Sequence, residues 1–207
     1  MLHVLSIGML AQLAVTPTMH RADAPSTIPF DTTISAPKFS GVAIDLTAGG
    51  RVRIVGGASK VVRVQVTDRG RKCADCIVAV TEIPQGLSVR TGRTHTPDAP
   101  ADMQIVIEVP TQTNILLTSA GGRVEIEGID GYVSGTTDFG AVSLFRLSGA
   151  LKLETKRGDI TLRQSYVRGS VHTKAGRVLL EDVSGDVRAT SSKGGVVERR
   201  VERVRAS

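Results

Sequence analysis

Few residues in this 207-residue chain carry reactive chemistry, and they are scattered. Two thiols stand three apart in Cys73-Ala-Asp-Cys76. Such a pair can close a disulfide, supply half of a zinc site, exchange with other thiols, or stay free. A zinc site would need two more ligands. His3 and His20 lie in the N-terminal leader-like stretch, which leaves His95 and His172. A thioredoxin-like site would need a βαβ setting that the flanking sequence lacks. A disulfide between Cys73 and Cys76 leads these readings, because the chain reads as exported. Five carboxylates, Asp138, Glu154, Asp159, Asp182 and Asp186, form neither a column nor a repeated pair within the chain's own repeat. Acids at turns are ordinary turn residues. No Gly-x-Ser-x-Gly elbow, His-Glu-x-x-His pair or phosphate loop is present. The expectation is no catalytic, cofactor-binding or metal-ligating residue, and no cofactor.

The basic residues are better organised. Lys152 and Arg188 occupy one column of the repeat, with Ser134 and Ser170. Lys156 and Lys174 are neighbours in a second column, after Asp138. These four form a candidate surface for an anionic polymer. The plainer reading is that they keep an exposed sheet face from aggregating.

What must position these residues is a repeat. From Thr113 the chain divides without gaps into five lines of 18 residues, beginning "TNILLTSAGGRVEIEGID". One column reads Gly122, Gly140, Gly158, Gly176, Gly194. Two residues on stand Val124, Val142, Ile160, Val178 and Val196, then Ile126, Leu144, Leu162, Leu180 and, at the last line, Glu198. The other half of each line carries Ile115, Val133, Leu151, Gly169 and Val187. Alternation within each half is the period of a strand. Such short strands bury a face only by stacking line upon line. The predicted fold is all-β: a parallel β-solenoid (β-helix) with 18-residue coils, preceded by a less regular β region. An antiparallel sandwich would not need the unbroken period. Ser119, Thr137, Thr155, Thr173 and Ser191 form an in-phase polar column, read as an inward hydroxyl ladder, with a sugar-lining row as the lesser alternative.

The line is foreshadowed upstream. "TAGGRVRIVG" at Thr47–Gly56 nearly repeats "SAGGRVEIEG" at Ser119–Gly128. Between them the period is lost, although "VVRVQVT", "CIVAVTEI" and "MQIVIEVP" still read as strands. The predicted division is a signal peptide over 1–24, an irregular β region with a first coil over 25–112, five coils over 113–202 and a basic tail over 203–207.

The Gly-Gly-x-Val-x-Ile turns, the Gly-x-Val-x-Thr half-turns and the early copy before an irregular insert resemble the bacterial "putative adhesin" domains of unknown function and the related head-GIN domains. The resemblance covers roughly residues 36–201. It implies a secreted or surface β-solenoid serving adhesion or envelope upkeep, and it offers no active-site residues to carry over. The Cys pair departs from that pattern.

Composition sets the remaining bounds. Aromatics are 3% with no Trp, so a base-stacking surface for single-stranded nucleic acid is not expected. The net charge of +6 is spread in both signs, except for the basic end "ERRVERVRAS". Val4–Val15 is mostly apolar but short for a bilayer span, and Ala22-Asp23-Ala24 suits a signal cleavage. No Cys sits near residue 24, so no lipid anchor is expected. The expected protein is an extracytoplasmic, non-enzymatic bacterial binder or envelope scaffold, without a transmembrane segment in the mature chain. Its expected partner is an envelope or extracellular glycan or a surface protein. The alternatives are a carbohydrate-active β-helix enzyme and a filament that stacks coil ends, against which the charged last line speaks.

Overall fold

A computed structural model of the chain describes residues 30–35, 40–68, 76–84, 86–93 and 103–203. The predicted leader, Cys73, His95 and residues 204–207 lie outside them. Among the described residues there is no helix, and fifteen strands join one mostly parallel sheet.

Five rows follow from Asn114 onward. The first holds β8 (Asn114–Ser119) and β9 (Val124–Glu127). The second holds β10 (Asp130–Phe139) and β11 (Val142–Phe145). The third holds β12 (Ser148–Arg157) and the start of β13 (Ile160–Ala175). The remainder of β13 joins the start of β14 (Val178–Ser191), and the end of β14 joins β15 (Val196–Arg203). Pairing between rows is parallel throughout. Val124 meets Val142, then Ile160, Val178 and Val196. Ile115 meets Val133, then Leu151, Gly169 and Val187. Each partner stands 18 residues further along the chain. The parallel register excludes the antiparallel sandwich for these rows.

The upstream decapeptide takes its place through an unexpected chain order. β2 (Gly41–Leu46) and β3 (Arg51–Gly57) pair directly with β8 and β9, so Val52 meets Val124. Their other edges pair in parallel with β6 (Gly86–Arg93) and β7 (Met103–Pro110). The chain therefore lays down one row, passes through β4 (Val61–Asp68) and β5 (Cys76–Ile83), fills the row behind the first, and steps over the first to begin β8. The three antiparallel pairings among the described strands lie at this end. They join β4 to β7, β5 to β6, and β1 (Phe30–Ser35) to β4. On β1, Asp31 accepts hydrogen bonds from Arg63 and Gln65, which hold its carboxyl down at about 2. A carboxylate lowered in this way favours the folded chain at neutral pH. That contribution fades as pH falls through the folded value.

The core is the set of inward columns. Val142, Leu144, Val178 and Leu180 are each at most 1% exposed, as the period-two reading requires. With few aromatics, stacked Val, Ile and Leu fill the interior from Val42 to Val187. Glu198 ends one column, exposed over Leu180 at the β15 edge and bonded to Arg203 at 2.5 Å.

Two corner columns shape each row. In the glycine column, a Cβ on Gly140 would stand 1.7 Å from the carbonyl oxygen of Gly122, and one on Gly158 would stand 1.9 Å from that of Gly140. Rows approach so closely here that no side chain fits, and Gly140 also has φ 101°. The second corner carries Gly128, Arg146, Gln164, Asp182 and Arg200, all left-handed, with φ from 48° to 69°. This corner bends the chain without breaking the long strands β13 and β14. Four of its five residues pay a left-handed penalty that glycine avoids.

The two corners predict opposite responses. Gly140→Ala should cost about 3 kcal/mol or more, because a backbone carbonyl must move. Gln164→Gly should be neutral or stabilise by up to about 1 kcal/mol, the relieved strain outweighing the entropy of a freer unfolded chain. Urea melts of the two variants check this, and equal destabilisation would contradict it.

Candidate functional site

The side chains that could do chemistry lie on outward columns, built by the alternation that buries their neighbours. In β12, Leu151, Leu153 and Thr155 point inward while Lys152, Glu154 and Lys156 are exposed. In β13, Val171 and Thr173 are buried while Ser170 and His172 are half-buried and Lys174 is exposed. Register then assembles a patch across three rows. Lys152 meets Ser170, which meets Arg188. Glu154 meets His172, which meets Thr190. Lys156 and Lys174 are bracketed by the pairs Thr155–Thr173 and Arg157–Ala175. The four predicted cations thus surround one imidazole, whose Nδ1 lies 2.8 Å from Thr190 Oγ1. Lys156 Nζ is engaged by Asp138 at 2.7 Å, while Lys152, Lys174 and Arg188 have no carboxylate partner among the described residues.

The five predicted acids do not converge. Asp138 holds Lys156. Asp159 Oδ1 accepts from the Arg177 backbone N–H at 2.7 Å, an ordinary turn role. Asp182 is paired with Arg200, whose guanidinium holds its carboxyl below the usual range. Asp186 is exposed on β14, and Glu154 stands beside His172 in the strand register. Among the described residues no three His, Cys, Asp or Glu side chains group closely enough to hold a metal. Cys76 begins β5, and Cys73 lies outside the described residues.

Two arrangements were missed from sequence. The other run of strands carries ion-pair networks. Glu127 bridges Arg53 at 3.0 Å and Arg146 at 2.5 Å, and Glu181 holds Arg163 at 2.9 Å. Both acids sit in one outward column, so they were findable by aligning the lines. A shallow recess between β7, β3 and β9 is lined by Arg51, Arg53, Gln104, Arg123 and Glu125. Its one sequence signal was the Arg that follows Gly-Gly in both decapeptides.

The hydroxyl ladder faces inward and lines no surface. Ser119, Thr137, Thr155 and Thr173 are at most 3% exposed, and Ser191 is half-buried. Thr173 donates to the Gly158 carbonyl at 3.0 Å and Ser191 to that of Gly176 at 2.7 Å, tying this column to the glycine corner of the row before. Thr137 and Thr155 have buried hydroxyls without a partner among the described residues.

No protein-family model matches the chain, and no curated protein does. Among solved structures it is similar to a "putative cell adhesion protein" from Clostridium sporogenes, at 11% identity over 83% of this chain and 99% of that one, with a TM-score of 0.45. It is also similar to a "putative adhesin" from Bacteroides fragilis, at 13% identity over 87% and 99%, with a TM-score of 0.34. Both carry adhesion names. Likenesses this loose add nothing to the strand register itself.

The ladder yields a test of its own. Thr155→Val removes a buried hydroxyl that has no partner, and should stabilise by about 1 kcal/mol. Thr173→Val removes a made hydrogen bond and leaves the Gly158 carbonyl short of a donor, so it should cost about 1 kcal/mol. Thermal denaturation of the pair reads the sign. A loss in both would mean that Thr155 is bonded in solution.

Proposed function

We propose that this protein is an exported, adhesin-like β-solenoid of 18-residue coils, with five coils over 113–202 and an irregular β region with a first coil over 25–112. It binds an anionic envelope or extracellular polymer and is not an enzyme. The observation that carries this reading is the assembly of Lys152, Lys156, Lys174 and Arg188 around His172 on three successive rows. An open sheet face with regularly spaced cations suits an extended polyanion better than a small substrate. Each contact is exposed and worth about 1 kcal/mol or less, so affinity must come from several acting together. Such binding weakens with salt as screening shortens the reach of the charges.

One observation favours the enzymatic alternative, action on a polysaccharide. Glu154, His172 and Thr190 stand in line, a carboxylate, an imidazole and a hydroxyl. General acid–base work needs a base held against its proton donor over a bound substrate. Here the line runs along an outward strand column, with Glu154 exposed and His172 and Thr190 half-buried. We read His172 as a polar member of the binding face.

The test is binding to alginate, with a neutral glucan as control. Reversing Lys152, Lys156, Lys174 and Arg188 to Glu should weaken alginate binding about 10- to 100-fold at low salt, by the summed worth of exposed charge contacts. Wild-type binding should fall as sodium chloride rises. Binding indifferent to both changes would overturn the reading. So would glycan cleavage abolished by Glu154→Gln or His172→Ala.

A further inference from the structure

The two copies of Gly-Gly-Arg-Val stand side by side in the fold. Val52 meets Val124, so the residues before them, Arg51 and Arg123, are neighbours in one outward column. On its other side Arg51 meets Gln104 of β7. Arg53, two residues on, closes the recess with Glu125. Three guanidiniums and a carboxamide therefore line one hollow against a single carboxylate.

Charge balance within the hollow is incomplete. Arg53 pairs with Glu127 at 3.0 Å, an acid it shares with Arg146. Arg123 reaches Glu125 only at 3.7 Å, with both side chains at least 40% exposed. Arg51 is exposed and has no acidic partner among the described residues. Like charges directly opposite across strands destabilise a sheet. The next rows do not continue the pattern: Ala141 and Asp159 follow Arg123 in the column. An arginine pair is thus confined to the one junction where the chain has stepped over a row.

We infer that this recess is an oxyanion-binding site, in which Arg51 and Arg123 clasp a carboxylate, sulfate or phosphate group and Gln104 donates a further hydrogen bond. Planar guanidinium forks match such groups with two parallel N–H donors, which a lysine point charge cannot reproduce. The site lies on the strand run of β7, β3 and β9, whereas the cationic face lies on β12 to β14. It does not depend on the function proposed above.

The experiment is titration of the full chain with sodium sulfate, with sodium phosphate and with tri-galacturonate, each at constant ionic strength. It is followed by calorimetry and by the arginine Nε–H signals. Saturable binding of at least one anion is expected, shifting the Arg51 and Arg123 signals together. Sulfate or phosphate alone would identify a tetrahedral ligand, and tri-galacturonate alone a sugar carboxylate. Arg51→Gln and Arg123→Gln should each weaken binding at least tenfold, and Arg51→Lys should restore only part of it. Lys60→Gln, an exposed position beyond the far end of β3, should leave it unchanged. Absence of saturation with all three anions, or equal binding by wild type and both Gln variants, would overturn the site. The wild-type signal shifts decide the matter even if a variant folds poorly.

Discussion

Everything in this fold depends on how closely one row can lie on the next. Parallel strands pair at about 4.8 Å, and each row must repeat the path of the row behind it to keep every pair in register. At most positions a side chain has room because it points inward or outward. At the glycine corner it does not, since the Cβ direction runs straight into the neighbouring carbonyl. Gly122, Gly140, Gly158, Gly176 and Gly194 each face the carbonyl of the glycine before, continuing the line from Gly50. Compression there locks the register, and locked register aligns the Val and Leu columns into a continuous core.

The same stacking decides what the surface can do. An outward residue is flanked by its counterparts 18 residues before and after, so a surface patch is written at repeat intervals. Lys152, Ser170 and Arg188 become neighbours by this rule, as do Glu154, His172 and Thr190. Opposite charges placed this way form ladders, as Glu181 does with Arg163. Like charges placed this way make an unbalanced strip. The chain uses both, and the unbalanced places are where a partner of opposite charge gains most.

Row order adds a second rule. A chain that filled its rows in sequence would put only near repeats in contact. By laying β2 and β3 first, filling β6 and β7 behind them, and then stepping forward to β8, this chain joins segments of different spacing. The arginine recess exists only at that junction. The antiparallel strands β1, β4 and β5 cover the rear, and the charged strand β15 forms the front edge. Glu198, Arg199 and Arg200 there discourage the pairing of another chain on an open edge.

The sequence by itself determined the rows. Gapless 18-residue spacing, alternating Val and Leu, and one Gly per line leave a single stacking register, because a slip by one residue would turn the core outward. The inward hydroxyl column was legible for the same reason, and so was the placement of Lys152 and Arg188 in one column. The left-handed corner at Arg146, Gln164, Asp182 and Arg200 was not legible. Only Gly128 announces it, and the other rows bear that backbone strain with ordinary side chains. His172 as the centre of the basic patch went unnoticed, since its significance lies in neighbours on other rows. The order of the early rows was decided by tertiary structure alone. Local pattern says that β2, β3, β6 and β7 are strands, but any of them can hydrogen-bond to either neighbour. Which pairs form depends on where the glycine corners and buried faces fit together in three dimensions. That choice placed Arg51 beside Arg123.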